Sequence, residues 1–397
     1  RGRRIGSPGA EVLILVDGMR LGEARNSGSA IVIPKYPLMQ IERVEFIRGP
    51  GSAVYGSNAM MGVINIITRS QINEVSVAYG SLNRREAHLL ASRKAGDLKL
   101  DLLAYAQIDN GEDYLLQDTF SGNQVRTDDP RELAGLNLKL QWENTQLNIQ
   151  HNQFKGEGFY ELDGISNGFN QRTGGFTAVA LKQGLKFQAV TSYVWFSYAL
   201  SEFTTKAQLT APGALAVPSS PSSNDALFIK IDLDDNSETR LLWHNDFEVD
   251  PLSSFQFGLE IRHISVPQIM GENNFDVGDL ASGSSTIRYY GSLMATTPIQ
   301  AKSSRDIVGV YGQFQQRLLG QTHLTLGGRL DHFSNIGSQL SPRFGLVHEI
   351  NDHHSLKLLY GEAFRAPAES ELNLLNNPVI LGNPDLDPET VQSSEVI

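Results

Sequence analysis

From residue 74 to its end the chain is a succession of short segments, each about ten residues long, in which apolar and polar side chains alternate. Leu98, Leu100, Leu102, Ala104 and Ala106 alternate with Lys99, Asp101 and Gln107, and Leu136, Leu138, Leu140 and Trp142 alternate with Asn137, Lys139 and Gln141. The pattern runs on through Leu147 and Ile149, then Leu185, Phe187, Ala189, Tyr193 and Trp195, then Leu241 to Val249 and Phe255 to Ile261. It continues through Val308 to Phe314, Leu324 to Leu330, Phe344 and Leu346, and Leu356 to Tyr360. A period of two puts each apolar set on one face of a strand.

Alternation is shared by soluble sandwiches and by barrels in lipid. The connectors separate the two. Short turns fall at 95–97, 143–145, 183–184, 250–253, 319–322 and 351–354, and between them lie long polar connectors at about 108–132, 155–173, 199–237, 266–303 and 364–391. Short and long connectors in turn are the signature of an outer-membrane barrel, whereas connectors this long count against a compact soluble domain. No run approaches the ~18 apolar residues of a membrane helix, the longest near the start being Val12–Val16. A membrane-spanning form must then be a closed barrel. The expected fold class is all-β, a transmembrane antiparallel β-barrel, with about fourteen strands present here and the last, 392–397, cut short.

The first seventy residues read differently. In Gln40–Arg69 two apolar strands flank Gly49, Pro50, Gly51, Ser52, Gly56, Ser57, Asn58 and Gly62, which is strand, tight turns, strand. Gly51 and Gly56 have the spacing of a phosphate-cradling loop. Ser57 and Asn58, however, stand where that loop needs Lys and Ser or Thr, and VINIIT continues as strand rather than helix. These departures argue against a nucleotide site.

Val12–Arg20 (VLILVDGMR), the stretch 22–33, and Ile41–Arg69 with IRGP, YG and GVINIIT stand in the order of the plug domain of TonB-dependent outer-membrane receptors, which this part of the chain resembles. YGEAFRAP and GNPDLDPE within Tyr360–Glu389, with SPRFG at Ser341–Gly345, carry the likeness into the barrel. The resemblance implies an α+β plug inside the lumen of a barrel of about 22 strands when complete: residues 1–72 as the C-terminal part of the plug, and 73–397 as the N-terminal part of a truncated barrel. RGRRIGSPGA is basic but lacks the apolar core and cleavage site of a signal peptide, so the chain is expected to start within the plug.

The function implied is that of a receptor in the bacterial outer membrane, surrounded by its lipid. It binds a scarce nutrient chelate and imports it with energy from TonB, which would grip a segment upstream of Arg1. Ferric siderophores come first among ligands and cobalamin next. Haem fits less well, because AESELNLLNNPVILG between FRAP and NPDL has no His and none precedes His88. No cofactor is implied. A passive porin and a soluble secreted β protein are the readings from other classes. With 33 Lys plus Arg against 44 Asp plus Glu, the net charge of -11 argues against a nucleic-acid partner. Absence of cysteine excludes disulfides and thiolate metal sites within these residues. His353 and His354 fall in a turn, and neither HExxH nor GxSxG occurs, so no enzyme is expected.

Three sets of residues are candidates for function. Arg25, Asn26, Ser27, Gly28 and Ser29, within 23–30, match the ligand-facing plug loop of the family. Arg48, Gly49, Pro50, Tyr55, Gly56 and Arg69 form the structural or latch set, in which Arg48 is expected to pair with carboxylates of the barrel wall and so specify a removable stopper. Asp109, Glu112, Asp113 and Asp118, with Asp128 and Asp129, offer hard oxygens suited to calcium, though not at EF-hand spacing.

Overall fold

A computed structural model of the chain describes residues 10–29, 36–118, 122–157, 165–210, 226–284, 287–318, 320–376 and 381–397. The run VLILV is apolar throughout and forms β1 (Val12–Val16), a strand with both faces covered. β2 (Met19–Arg20) folds back on it through Asp17 and Gly18, whose φ values of 50° and 81° are the left-handed pair that a two-residue hairpin requires. With β3 (Ile41–Arg48) and β4 (Gly62–Thr68) the sheet order is β2-β1-β4-β3, β1 and β4 running parallel. Between β3 and β4 the expected tight turns include one turn of helix, α1 (Ser52–Tyr55). One face of the sheet packs Leu13, Leu15 and Val63 on Ala59 and Tyr55. The other packs Val16, Met19, Leu21 and Ile66 on Phe176, Ala178, Ala180, Trp195 and Leu242 of the surrounding wall.

That wall begins with β5 (Glu74–Tyr79), β6 (Arg85–Ala95) and β7 (Leu98–Asp109). A small hairpin, β8 (Tyr114–Gln117) and β9 (Gln124–Thr127), stands in the first long connector. The wall resumes with β10 (Arg131–Trp142), β11 (Thr145–Glu157), β12 (Gln171–Phe187) and β13 (Val190–Gln208). β14 (Phe228–Asp232), β15 (Asn236–Asp250), β16 (Ser253–Val266) and β17 (Ile269–Phe275) follow, then α2 (Val277–Ala281), β18 (Tyr289–Gln300) and β19 (Ser303–Leu318). Last come β20 (Thr322–Phe333), β21 (Gly337–Asn351), β22 (His354–Arg365), α3 (Glu369–Asn373) and β23 (Glu389–Val396).

Fourteen of these strands pair consecutively and antiparallel around the inner sheet, in the order β5-β6-β7-β10-β11-β12-β13-β15-β16-β19-β20-β21-β22-β23. β5 and β23 share no ladder among the described residues. Their outward side chains Val75, Val77 and Val396 are 74%, 78% and 76% exposed, against 38% for Leu136 and 48% for Val310 inside the run. The alternating apolar residues face outward, as a lipid-facing wall requires, and Trp142, Phe187 and Phe255 stand exposed beside the short turns as an aromatic girdle.

Three readings are corrected. The turn expected at 183–184 lies at 188–189: Gly184 pairs with Tyr193 within the ladder, and Gln188, at φ 47°, makes the reversal. Leu185 and Phe187 therefore end β12, while Tyr193 and Trp195 on β13 turn inward onto the plug. The described parts of the connectors expected at 199–237 and 266–303 are largely strand, because β13 continues to Gln208 and carries β14, which pairs with β17, which pairs with β18. Register shifts in the β17–β18 ladder break the period of two that would have revealed them. The last strand starts at Glu389, not 392. The turn at 319–322 and the connector at 155–173 fall partly outside the described residues.

Candidate functional site

The segment from Leu21 to Ser29 forms the plug's upper loop, closed by Glu23 N–H to the Gly28 carbonyl at 2.9 Å and Ser27 N–H to the Glu23 carbonyl at 2.8 Å. Ser27, at φ 56°, lets the chain reverse there. The polar groups expected to meet a ligand are spent inside the protein. Arg25 donates through Nε to Gln300 and through an NH to Asn26 at 3.2 Å, Asn26 donates to Glu23, and Ser29 is buried. Burial raises the Glu23 carboxyl, opposed by Arg25, and lowers the Arg25 guanidinium, opposed by Glu23. Asn58 ties this loop down by donating to the carbonyls of Ala10, at 2.9 Å, and Ser27, at 3.2 Å. Ala30 lies outside the described residues.

A cavity of about 600 Å³ opens beside the plug at the end of the barrel that carries the long connectors. Its floor is Tyr36 to Met39, and its wall includes His88, Tyr105, Phe154, Arg84, Arg131 and Arg172. His88 is buried and stacks on Tyr105 with 6.3 Å between ring centroids. Burial, with Asp17 adding, raises the Tyr36 phenol. Arg84 pairs with Glu86 at 2.7 Å and Arg131 with Asp129, so the guanidiniums are fixed at the mouth. No sequence signal singled out these residues, since His88, Tyr105, Arg131, Phe154 and Arg172 are single positions on five separate strands.

Plug and wall meet through charge. Asp17, at the β1–β2 turn, pairs with Lys139 of the wall at 2.9 Å and also accepts from Thr68 N–H at 3.0 Å and Thr68 Oγ1–H at 2.8 Å. Arg20 donates to the Tyr55 carbonyl at 2.6 Å and the Ser57 carbonyl at 3.3 Å. Burial, with Arg262 beside it and against Glu260 and Glu238, pulls the Arg20 guanidinium down to about 9. The wall around it is a buried network: Arg262 with Glu238 at 2.6 Å, Arg329 with Asp331 at 2.7 Å, and Glu260 held by both Arg240 and Arg329.

Arg48, expected to pair with the wall, stands on β3, the edge strand of the plug sheet, where it is exposed and forms no ion pair among the described residues. The plug–wall ion pair that the described residues do contain is that of Asp17 with Lys139. Arg69 pairs with Glu74 at 2.9 Å, at the step from plug to first wall strand. Gly49 has φ 77°, Pro50 packs on Gly361, and Gly56 lies against the Arg329 guanidinium. Burial raises the Tyr55 phenol. Asp109, Glu112, Asp113 and Asp118 do not converge: Asp109 accepts from Gly111 N–H at 3.1 Å, Asp118 from Ile165 N–H at 3.3 Å, and among the described residues no three His, Asp or Glu gather as for a metal ion.

A family model described as TonB dependent receptor-like, beta-barrel matches residues 76–396, and one described as TonB-dependent Receptor Plug Domain matches 2–63. The chain is 25% identical over 395 residues to the Vitamin B12 transporter BtuB of Vibrio vulnificus, covering 97% of this chain and 55% of that protein. Among solved structures, it is similar to the ferric enterobactin receptor mutant PfeA (Q482A) of Pseudomonas aeruginosa in complex with enterobactin, at TM-score 0.69 and 18% identity over 98% of this chain and 62% of that one. The siderophore receptor PirA of Acinetobacter baumannii is similar at TM-score 0.65 and 20% identity, over 98% and 60% of the two chains. The chain thus spans less than two thirds of the length of each of these proteins.

Proposed function

Because the chain belongs to the TonB-dependent receptor family, we propose that it captures a scarce metal chelate at the bacterial outer membrane and admits it inward when force transmitted by TonB displaces the plug. Ferric siderophores are the first class of ligand. The observation that carries this reading is a lumen occupied by a separate four-stranded sheet that meets the wall through an ion pair and a buried arginine as well as through an apolar face. A polar seat can be left and regained, since its groups find hydrogen bonds in water when they part. The cavity beside the plug lies where a ligand arriving through the long connectors would first meet it. Residues 1–72 are the plug portion and 73–397 the barrel portion of this proposal.

A passive porin is disfavoured by the same filled lumen. Cobalamin is the second reading, favoured by the relative that is a vitamin B12 transporter. The test is a panel of ferric siderophores and cobalamin offered to cells carrying the full-length receptor, with and without TonB. Saturable binding and TonB-dependent uptake of one class is the expected result. Saturable binding of neither class, or equal uptake without TonB, refutes the proposal.

A further inference from the structure

β22 parts from one of its neighbours before it ends. Its ladder with β21 stops at Arg343 opposite Gly361, beside Pro342, which has no N–H to offer. Its ladder with β23 continues to Arg365 opposite Glu389. Residues 362–366 therefore present an open strand edge toward the lumen, and buried backbone groups on such an edge need partners.

The plug supplies them. Phe364 N–H donates to Ser52 Oγ at 3.3 Å, the Phe364 carbonyl accepts from Asn58 N–H at 3.3 Å, and Ala366 N–H donates to Ser57 Oγ at 3.1 Å. Below them Pro50 sits on Gly361, where a side-chain carbon would lie 3.4 Å from the proline ring. Ser52, Ser57, Phe364 and Ala366 are all buried. The same segment then runs into α3, where Ser370 N–H donates to the Arg25 carbonyl at 3.0 Å and Glu369 pairs with Arg305 at 2.7 Å.

We propose that residues 50–58 of the plug stand in for the missing strand beside β22, so that the seating of the plug and the order of segment 364–370 are coupled, and that Ser52 and Ser57 are positioning residues for transport. The plug cannot shift inward without stripping this edge, and stripping it frees the root of α3 and of the connector beyond. Three separate stretches of the chain thereby act together. Pro342 opens the edge, Phe364 to Pro367 present it, and Gly51 to Asn58 close it. This anchorage is separate from the charged one at Asp17 and Lys139, and it holds whatever chelate is carried.

The test uses the full-length receptor. Ser52→Ala with Ser57→Ala is expected to raise hydrogen exchange at residues 364–376 about tenfold, the effect of two lost hydrogen bonds of ordinary net strength. The same variant opens the pore at lower urea in planar bilayers, while Gly96→Ala, at a short turn of the wall with nothing within 4 Å, leaves exchange at 364–376 unchanged. Ser57→Cys with Ala366→Cys, free of competing thiols among these residues, gives a second measurement within one protein. When oxidised it is expected to block urea-induced opening, and reductant restores it. Exchange unchanged by the double alanine variant, or equal opening of the oxidised and reduced cysteine pair, overturns the proposal.

Discussion

Gly56→Ala tests the seat of the plug most directly. Gly56 has φ 74° and ψ -155°, a region essentially confined to glycine, so an alanine there costs about 1–3 kcal/mol in backbone strain. A second cost comes from space. The new Cβ would stand 3.1 Å from the guanidinium of Arg329, which is itself fixed by Asp331 at 2.8 and 2.9 Å and by Glu260, so it has little room to yield. Together the two effects come to about 2–4 kcal/mol, which is about 30- to 1,000-fold more of the receptor with its plug unseated. Hydrogen exchange over residues 50–68 and conductance of the full-length receptor under urea both report that population. Gly96→Ala is the control: φ is 61°, nothing lies within 4 Å, and the site is a short turn of the wall. If Gly56→Ala behaves like Gly96→Ala, the plug is not seated against Arg329.

Three further outcomes follow from the same geometry. Lys139→Met leaves Asp17 only its bonds to Thr68, and is expected to weaken plug seating by about 1–3 kcal/mol, read as earlier loss of plug exchange protection in urea with the wall unaffected. Glu23 has a carboxyl raised by burial above its ordinary 4.5, so the folded loop binds its proton more readily than the unfolded chain does. The resulting penalty is absent below that ordinary value and grows as pH rises through the raised one. Protection factors over residues 21–29 should accordingly fall as pH rises above about 4.5, and Glu23→Gln should flatten the trend. Leu136→Lys places a charge on the outward face of the wall, where it costs about 2–4 kcal/mol near the bilayer midplane, so folding into vesicles should drop sharply; normal folding would mean that this face does not meet lipid.

What the sequence disclosed and what it hid have separate physical causes. Strands that cross lipid must show an apolar face at every second residue, and β7, β10, β15, β16, β19 and β20 are legible for that reason. β14 is only five residues long and the β17–β18 ladder carries register shifts, so these sequences read as connector. The plug was legible through its glycines and its VLILV and VINII runs, because a parallel pair covered on both faces is apolar throughout. Its contacts were not. Arg20 and Arg48 look alike in the chain, one after a DG turn and one before a GP turn. The sheet order alone decides that Arg20 and Arg48 stand on opposite edge strands, β2 and β3.

The charged seat has an uneven distribution that bears on how the plug leaves. The wall contributes Arg240, Arg262 and Arg329 against Glu238, Glu260 and Asp331, three charges of each sign, so it is neutral before the plug arrives. Arg20 adds a positive charge that no wall carboxylate is free to match one-to-one, and burial works against it. Withdrawing Arg20 then leaves these three arginines and three carboxylates paired among themselves, so that the wall partners lost on departure are those at Lys139 and at the β22 edge. Had Arg20 been the sole partner of a buried carboxylate, its removal would strand that charge at several kcal/mol. A neutral wall with a plug arginine held chiefly by the carbonyls of Tyr55 and Ser57, its own neighbours in the plug, is the arrangement that lets one body slide past another.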